Sequence, residues 1–284
     1  MTEPRRIADL AQLTDKRLFE EIAAGLVLIH ENAQRLCESV ELLAQQEQFR
    51  AAEIIKNVAL EEAAKYLILI DAARCPRKPE PKLFSDHLWK FTDHLPRGIY
   101  AKVCDWLPAN FKELREGVAR ECEAYYLDGP TSANWMFRND IIRAREEALY
   151  VDYVVDDDGT RRWVSPQAME ELSSRMFFSE HGVICVMHAL HDVGFGAAEA
   201  LAILAQHWRT WRFADDTRHA VLQDSIRQTL SALKESGMPP PKDGRAYSTL
   251  LERWPFPLHV LPMRRIETSK DKLREIQGGN SARY

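Results

Sequence analysis

Apolar residues recur at steps of three and four along the first seventy or so positions, the period of one helix face. Leu18, Ile22, Leu26, Ile29, Ala33, Leu36, Val40 and Leu43 predict a helix from about Lys16 to Gln45. Phe49, Ala52, Ile55, Ala59, Ala63, Leu67 and Ile70 predict a second, from about Gln48 to Ala73. Val58, Ile68 and Leu69 carry apolar character onto its other faces, which puts this helix at the centre of a bundle. Pro76, Pro79 and Pro81 forbid its continuation. A third helix is expected from Phe84 to Pro96, then others over Tyr100 to Leu107, Asn110 to Leu127 and Ala133 to Ala148.

The pattern changes between Leu149 and Pro166. There "LYVDYVV", "DDDG" and "TRRWV" read as strand, turn and strand, a small hairpin near Val151 to Val164. Helical spacing resumes over Gln167 to Phe178, His181 to Trp211 and Asp215 to Ser236, with Asp215 or Asp216 as a cap. "GMPPPKDG" reads as a linker, and Arg245 to Tyr284 as short helices with a charged end. The expectation is an all-α protein, an antiparallel helical bundle with a small β-hairpin and a helical C-terminal extension. Its divisions are a helical domain over 15–166, an extension packed on it over 167–237, and a linker and tail over 238–284.

Composition narrows the function. The chain has 284 residues, 45% of them hydrophobic, which can supply a packed core. Its net charge of -5 gives no global field toward nucleic acid, although a local cation cluster would serve an RNA-cutting site. Five scattered cysteines without CxxC spacing imply reduced thiols and no zinc site. The start lacks an apolar signal core, and the best apolar run, Val183 to Leu204, is interrupted by His188, His191, Asp192 and Glu199. A soluble, cytoplasmic protein without membrane contact or cofactor is expected.

Common catalytic signatures are missing: no GxxxxGK[ST], GxGxxG after a strand, GxSxG or HExxH occurs. Two helices carry candidate chemistry. In "ALEEAAKYLIL", Glu61 and Glu62 precede Lys65 by four and three residues, so they can meet it on one face. An ordinary ion pair explains this, yet charges on a buried helix are costly unless paired or used. In "FSDHLWKFTDHL", a continuous helix would put His87, Lys90 and His94 on one face beside the stripe Phe84, Leu88, Phe91 and Leu95. Histidine moves protons near neutral pH and lysine holds phosphate, but a solvated face with half-buried histidines reads the same way. If the two helices pair antiparallel across the proline loop, Lys65, His87 and Lys90 would meet Glu62 or Glu61 in one polar cleft. His188 and His191 could share a metal, but without a third ligand they read as core residues, and no metal is assigned. A hairpin turn explains Asp156 to Asp158.

Four blocks in this order resemble the AbiV family of abortive-infection proteins: "ENAQRL" at Glu31, "ALEEAAKYL" at Ala59, "FSDHLWK" at Phe84 and "RAREEALYVDY" at Arg143. With Trp163 and Pro166 the resemblance spans roughly Asp15 to Pro166. It implies a HEPN-like bundle that dimerises, and an anti-phage effector acting as a metal-independent ribonuclease. Under that reading Glu62, Lys65, His87 and Lys90 are catalytic, and Arg138, Arg143 and His94 contact an RNA substrate. HEPN ribonucleases usually carry Arg, four to six residues, then His. Here Arg175–His181, Arg212–His219 and Arg253–His259 match by spacing, but such matches arise by chance and none lies within the resembling region. Arg138-Asn139 starts like the motif, but no His follows at that distance. The other reading is therefore a non-catalytic dimeric sensor or scaffold that binds a phage or host protein.

Overall fold

The computed structural model describes residues 6–78, 81–128, 134–137, 141–142, 145, 149–155, 160–164 and 181–267. After a short 3-10 helix, Ile7–Gln12, come α1 (Asp15–Gln45) and α2 (Phe49–Arg74). They are joined by a tight turn in which Glu47 adopts a φ of 55°. The two form an antiparallel hairpin, as the period implied. Its centre is α2, where Ala63, Ala64, Tyr66 to Ile70 and Ala72 are all buried, together with Asp71 and Arg74. No described helix is long and apolar enough to cross a membrane.

The third predicted helix divides. α3 (Pro81–Trp89) ends, and α4 (His94–Val103) begins anew. The physical cause is Asp93, whose carboxylate accepts from the Leu95 amide at 2.8 Å as an N-cap. Pro96 falls in the first turn of α4, where its missing N–H costs nothing. Lys90 lies in the turn between, so His87, Lys90 and His94 do not share one helix face.

α5 (Phe111–Glu121) starts from the Asn110 cap, which accepts from the Glu113 amide at 3.0 Å. It ends earlier than the apolar spacing suggested. The aromatic-rich run after Cys122 becomes β1 (Glu123–Asp128) instead. β1 pairs antiparallel with β2 (Asn134–Phe137) and parallel with β5 (Ile266–Glu267) in a three-stranded sheet of order β2-β1-β5. This sheet was not anticipated, and it occupies part of the segment expected to be helical over Ala133 to Ala148. The expected hairpin is present as β3 (Asp152–Val155) and β4 (Arg161–Val164), in register Tyr153 to Trp163. The helix expected over Gln167 to Phe178 lies outside the described residues.

The helix expected from His181 to Trp211 is also broken. α6 (Gly182–Leu190) runs into a π-helical turn, His191–Phe195, and α7 (Ala198–Trp208) follows. Gly194 makes the break, with a φ of 103° that L side chains rarely adopt, and a Cβ there would meet Met238 Cε at 2.5 Å. α8 (His219–Glu235) begins after Asp215, which does not cap it. Asp215 instead binds Arg115 at 2.6 Å, and its carbonyl accepts from the Lys112 amide. α9 (Ala246–Arg253) completes the helices.

One apolar core runs through both halves, from Leu18 on α1 to Leu201 on α7, Leu222 on α8 and Met263. Trp254, Phe256, Leu258 and Leu261 belong to it, although they fall in the stretch expected to be linker and tail. Burying Phe256, Leu258 or Leu261 contributes about 1.5–3 kcal/mol each. Ordering backbone costs about 1–2 kcal/mol per residue. The apolar anchors alone barely cover that cost, so the polar contacts described next decide that this strand stays inserted.

Candidate functional site

The residues expected to meet in one cleft separate into three groups. The first is a buried node. Asp71 accepts from Arg74 Nε at 2.8 Å, from Arg74 Nη2, from Tyr100 Oη at 2.6 Å and from the Leu258 amide at 2.7 Å. Burial raises the Asp71 carboxyl, but the Arg74 guanidinium and nearby histidines outweigh it and hold it below the usual carboxylate range. Arg74 lies between the rings of Trp208 and Trp254.

His87 and Lys90 belong to this interior. His87 is fully buried and its Nε2 donates to the Ile68 carbonyl at 2.7 Å. Burial, then the Lys90 charge, push its imidazole down to about 3, so it is neutral at pH 7 and has no exposed nitrogen for a substrate. Lys90 is 4% exposed and donates to the carbonyls of Leu258, His259 and Leu261 at 2.8, 3.2 and 2.8 Å. Burial lowers its ammonium to about 8. All three Nζ donors are spent on backbone, so Lys90 pins the 258–261 strand and has none spare for a phosphate.

The second group is a lone pair. Lys65 Nζ lies 2.6 Å from Glu62 Oε2 and 5.4 Å from the centre of the Phe91 ring. The third group is a charge cluster around Glu61, one turn before Lys65 on α2. Glu61 Oε2 accepts from His94 Nδ1 at 2.7 Å and from Arg97 Nη1 at 3.2 Å. Its Oε1 lies 3.4 Å from Arg145 Nε. Arg97 is anchored by two bonds to the Phe91 carbonyl. His94 and Arg145 remain 45% and 41% exposed, and they are the members a substrate can reach. Arg138 and Arg143 lie outside the described residues.

Chemically, the Glu61 cluster holds a carboxylate that fixes one imidazole nitrogen and leaves Nε2 without a partner among the described residues. Two guanidiniums stand beside it. That combination can move a proton and neutralise a developing phosphorane. Arg97 and Arg145 were missed in the sequence. The signal for Arg97 was available, because Asp93 as a cap makes His94 and Arg97 neighbours at i,i+3.

A separate histidine group joins α1 to the π-helical turn. His30 Nε2 lies 2.9 Å from His188 Nδ1, and the His30 and His191 rings stack at 3.8 Å between centroids. No three His, Cys, Asp or Glu among the described residues are placed to hold a metal. Burial, then the His191 and His188 charges, lower His30 to about 4 from its ordinary 6.5. His259 falls to about 4, through burial first. Such groups bind fewer protons folded than unfolded, so stability is full above about pH 6.5 and is lost as pH falls toward 4. The urea midpoint should therefore drop between pH 7 and pH 5. A midpoint that rose or stayed flat over that interval would sink the assignment.

A family model, HEPN_AbiV, described as AbiV, matches residues 21–173, more than half of the chain. No curated protein and no solved structure matches.

Proposed function

Since the chain belongs to the AbiV family of HEPN proteins, we propose that it is an anti-phage, abortive-infection effector that cleaves RNA without a metal, at the Glu61 cluster. The observation that carries this is the Glu61–His94 pair, at 2.7 Å with the imidazole half exposed between Arg97 and Arg145. His94 Nε2 takes the proton of a ribose 2′-hydroxyl. The 2′-oxygen then bonds to phosphorus and the bond to the 5′-oxygen breaks. Arg145 steadies the negative charge between those events, and the departing 5′-oxygen regains a proton from the imidazolium or from water. Lys65, on the same face of α2 as Glu61, supplies a further cation for the phosphate. Glu62 positions Lys65 through their ion pair. His87 and Lys90 support the site from the interior through the fold.

The working unit of this reading is a homodimer. Leu28 and Leu42, 66% and 63% exposed on α1, offer apolar surface for a second copy.

The interior positions of His87 and Lys90 favour a second reading, in which the protein acts by binding a phage or host protein. The two part in one experiment. Cells expressing wild type or Glu61→Gln are infected and total RNA is followed over time. RNA degraded only in the wild type supports cleavage at this cluster. Protection with intact RNA in both would leave the binding reading.

A further inference from the structure

Arg77, Lys78 and Arg209 line a cavity of about 950 Å³ between the first 3-10 helix, the start of α3 and the end of α7. Lys78 and Pro76 also line an adjoining hollow of about 210 Å³, whose walls include Trp211, Arg212, Phe213 and His259. Lys78 therefore stands between the two compartments. Neither belongs to the Glu61 cluster.

The charge here opposes that of the chain as a whole. The described residues lining the two compartments include four permanent cations, Arg77, Lys78, Arg209 and Arg212, and one carboxylate, Asp15. The chain carries a net -5. Asp15 bridges the two deeper guanidiniums, 2.7 Å from Arg77 Nη1 and 2.7 Å from Arg209 Nη1. Arg77 also donates to the Ala11 and Leu13 carbonyls, and Arg209 to that of Ala73. The guanidiniums lie over the rings of Phe84 and Phe19, so their planes are held in place.

Two donors are left over. Arg209 Nη2 is buried and has no hydrogen-bond partner among the described residues, which is a costly state for a guanidinium nitrogen. Lys78 is exposed and makes no ion pair among the described residues. The smaller hollow adds a different chemistry. The Trp211 and Phe213 rings, 5.7 Å apart and half-buried, offer an aromatic wall of the kind on which a planar base stacks.

We propose that the two compartments together bind a nucleoside phosphate, with the phosphate on Lys78 and Arg209 and the base against Trp211 and Phe213. Cations alone would suit any anion, and the aromatic wall alone any flat apolar group. Their adjacency across Lys78 selects a ligand that carries both, and the larger volume lies in the range of small-molecule sites. Asp15 occupies the guanidiniums when the site is empty and competes with the phosphate for them.

The test is calorimetric titration of the full chain with ATP, GTP, adenosine, tripolyphosphate and a 5′-phosphorylated oligoribonucleotide. A nucleotide should bind more tightly than adenosine or tripolyphosphate. Lys78→Glu, at an exposed position, should weaken it by roughly tenfold or more, the effect of losing one charge-assisted bond. Asp15→Asn should tighten it. Binding of the oligoribonucleotide but of neither free nucleotide, with the same dependence on Lys78, places the ligand's source in an RNA end. The proposal is overturned if none of the three phosphorylated nucleosides binds, if tripolyphosphate matches ATP, or if Lys78→Glu leaves the affinity unchanged.

Discussion

His94→Ala is expected to lower RNA cleavage by roughly two to four orders of magnitude, the range contributed by a positioned general acid–base group. The fold should survive the change. His94 is 45% exposed, and its side chain's bond to Glu61 is a partly solvated pair of the kind that contributes about 0–1 kcal/mol. Activity and stability therefore separate at this position. At His87 they should not, because that ring is fully buried and bonded to the Ile68 carbonyl. Cleavage of single-stranded RNA by the purified variants, with thermal melts run alongside, distinguishes the two. Unimpaired cleavage by His94→Ala would remove the Glu61 cluster from the chemistry. Loss of cleavage together with a collapsed melt would show that the residue is structural instead.

Much of the helical hairpin was legible because one face of each helix is buried over many turns. Leu18, Ile22, Leu26 and Ile29 repeat at helical steps and are all buried. The continuous apolar run of α2 placed it at the centre, and Ala63 to Ile70 are buried there except Lys65. What failed were boundaries set by single polar contacts. Asp93 ends one helix and starts the next with one bond to the Leu95 amide, and no periodicity reveals that. The three residues assigned to one face from a continuous helix consequently split, with His87 and Lys90 turned inward and His94 left at the surface.

The inward pair also depended on information from far along the chain. Lys90 is satisfied by carbonyls more than 160 positions later, at Leu258, His259 and Leu261. A lysine beside an apolar stripe looks alike in sequence whether it meets a substrate or a distant backbone. The same distance hid the role of Trp254 to Leu261, since Pro255 and Pro257 suggest a loop and say nothing of what covers it. The Glu61 cluster was half legible. Glu61 and His94 were in view as separate features, but their meeting requires α4 to pack on α2, and that is a tertiary fact.

Asp71→Ala should give the largest loss of stability of any change considered, about 3–5 kcal/mol, the usual result of breaking a buried ion pair from one side. Asp71 is fully buried, and its removal leaves the Arg74 guanidinium, the Tyr100 hydroxyl and the Leu258 amide without their acceptor at once. The loss should propagate. Lys90 is already lowered to about 8 by burial, and the Asp71 charge is the first influence holding it up. Without that carboxylate the ammonium loses its proton more readily near neutral pH, and its grip on the 258–261 carbonyls weakens. Against a total stability of about 5–15 kcal/mol for a typical protein, such a change brings unfolding close to working temperature. Urea unfolding at pH 7 measures the total, and hydrogen exchange at the amides of 254–265 should show that strand opening first. Arg74→Met on top of Asp71→Leu should cost less than the two single changes summed, because the double variant strands no buried charge of this pair. Strict additivity in that cycle, or an Asp71→Ala protein within 1 kcal/mol of wild type, on the order of an ordinary surface change, would show that the node does not hold the C-terminal strand in the bundle.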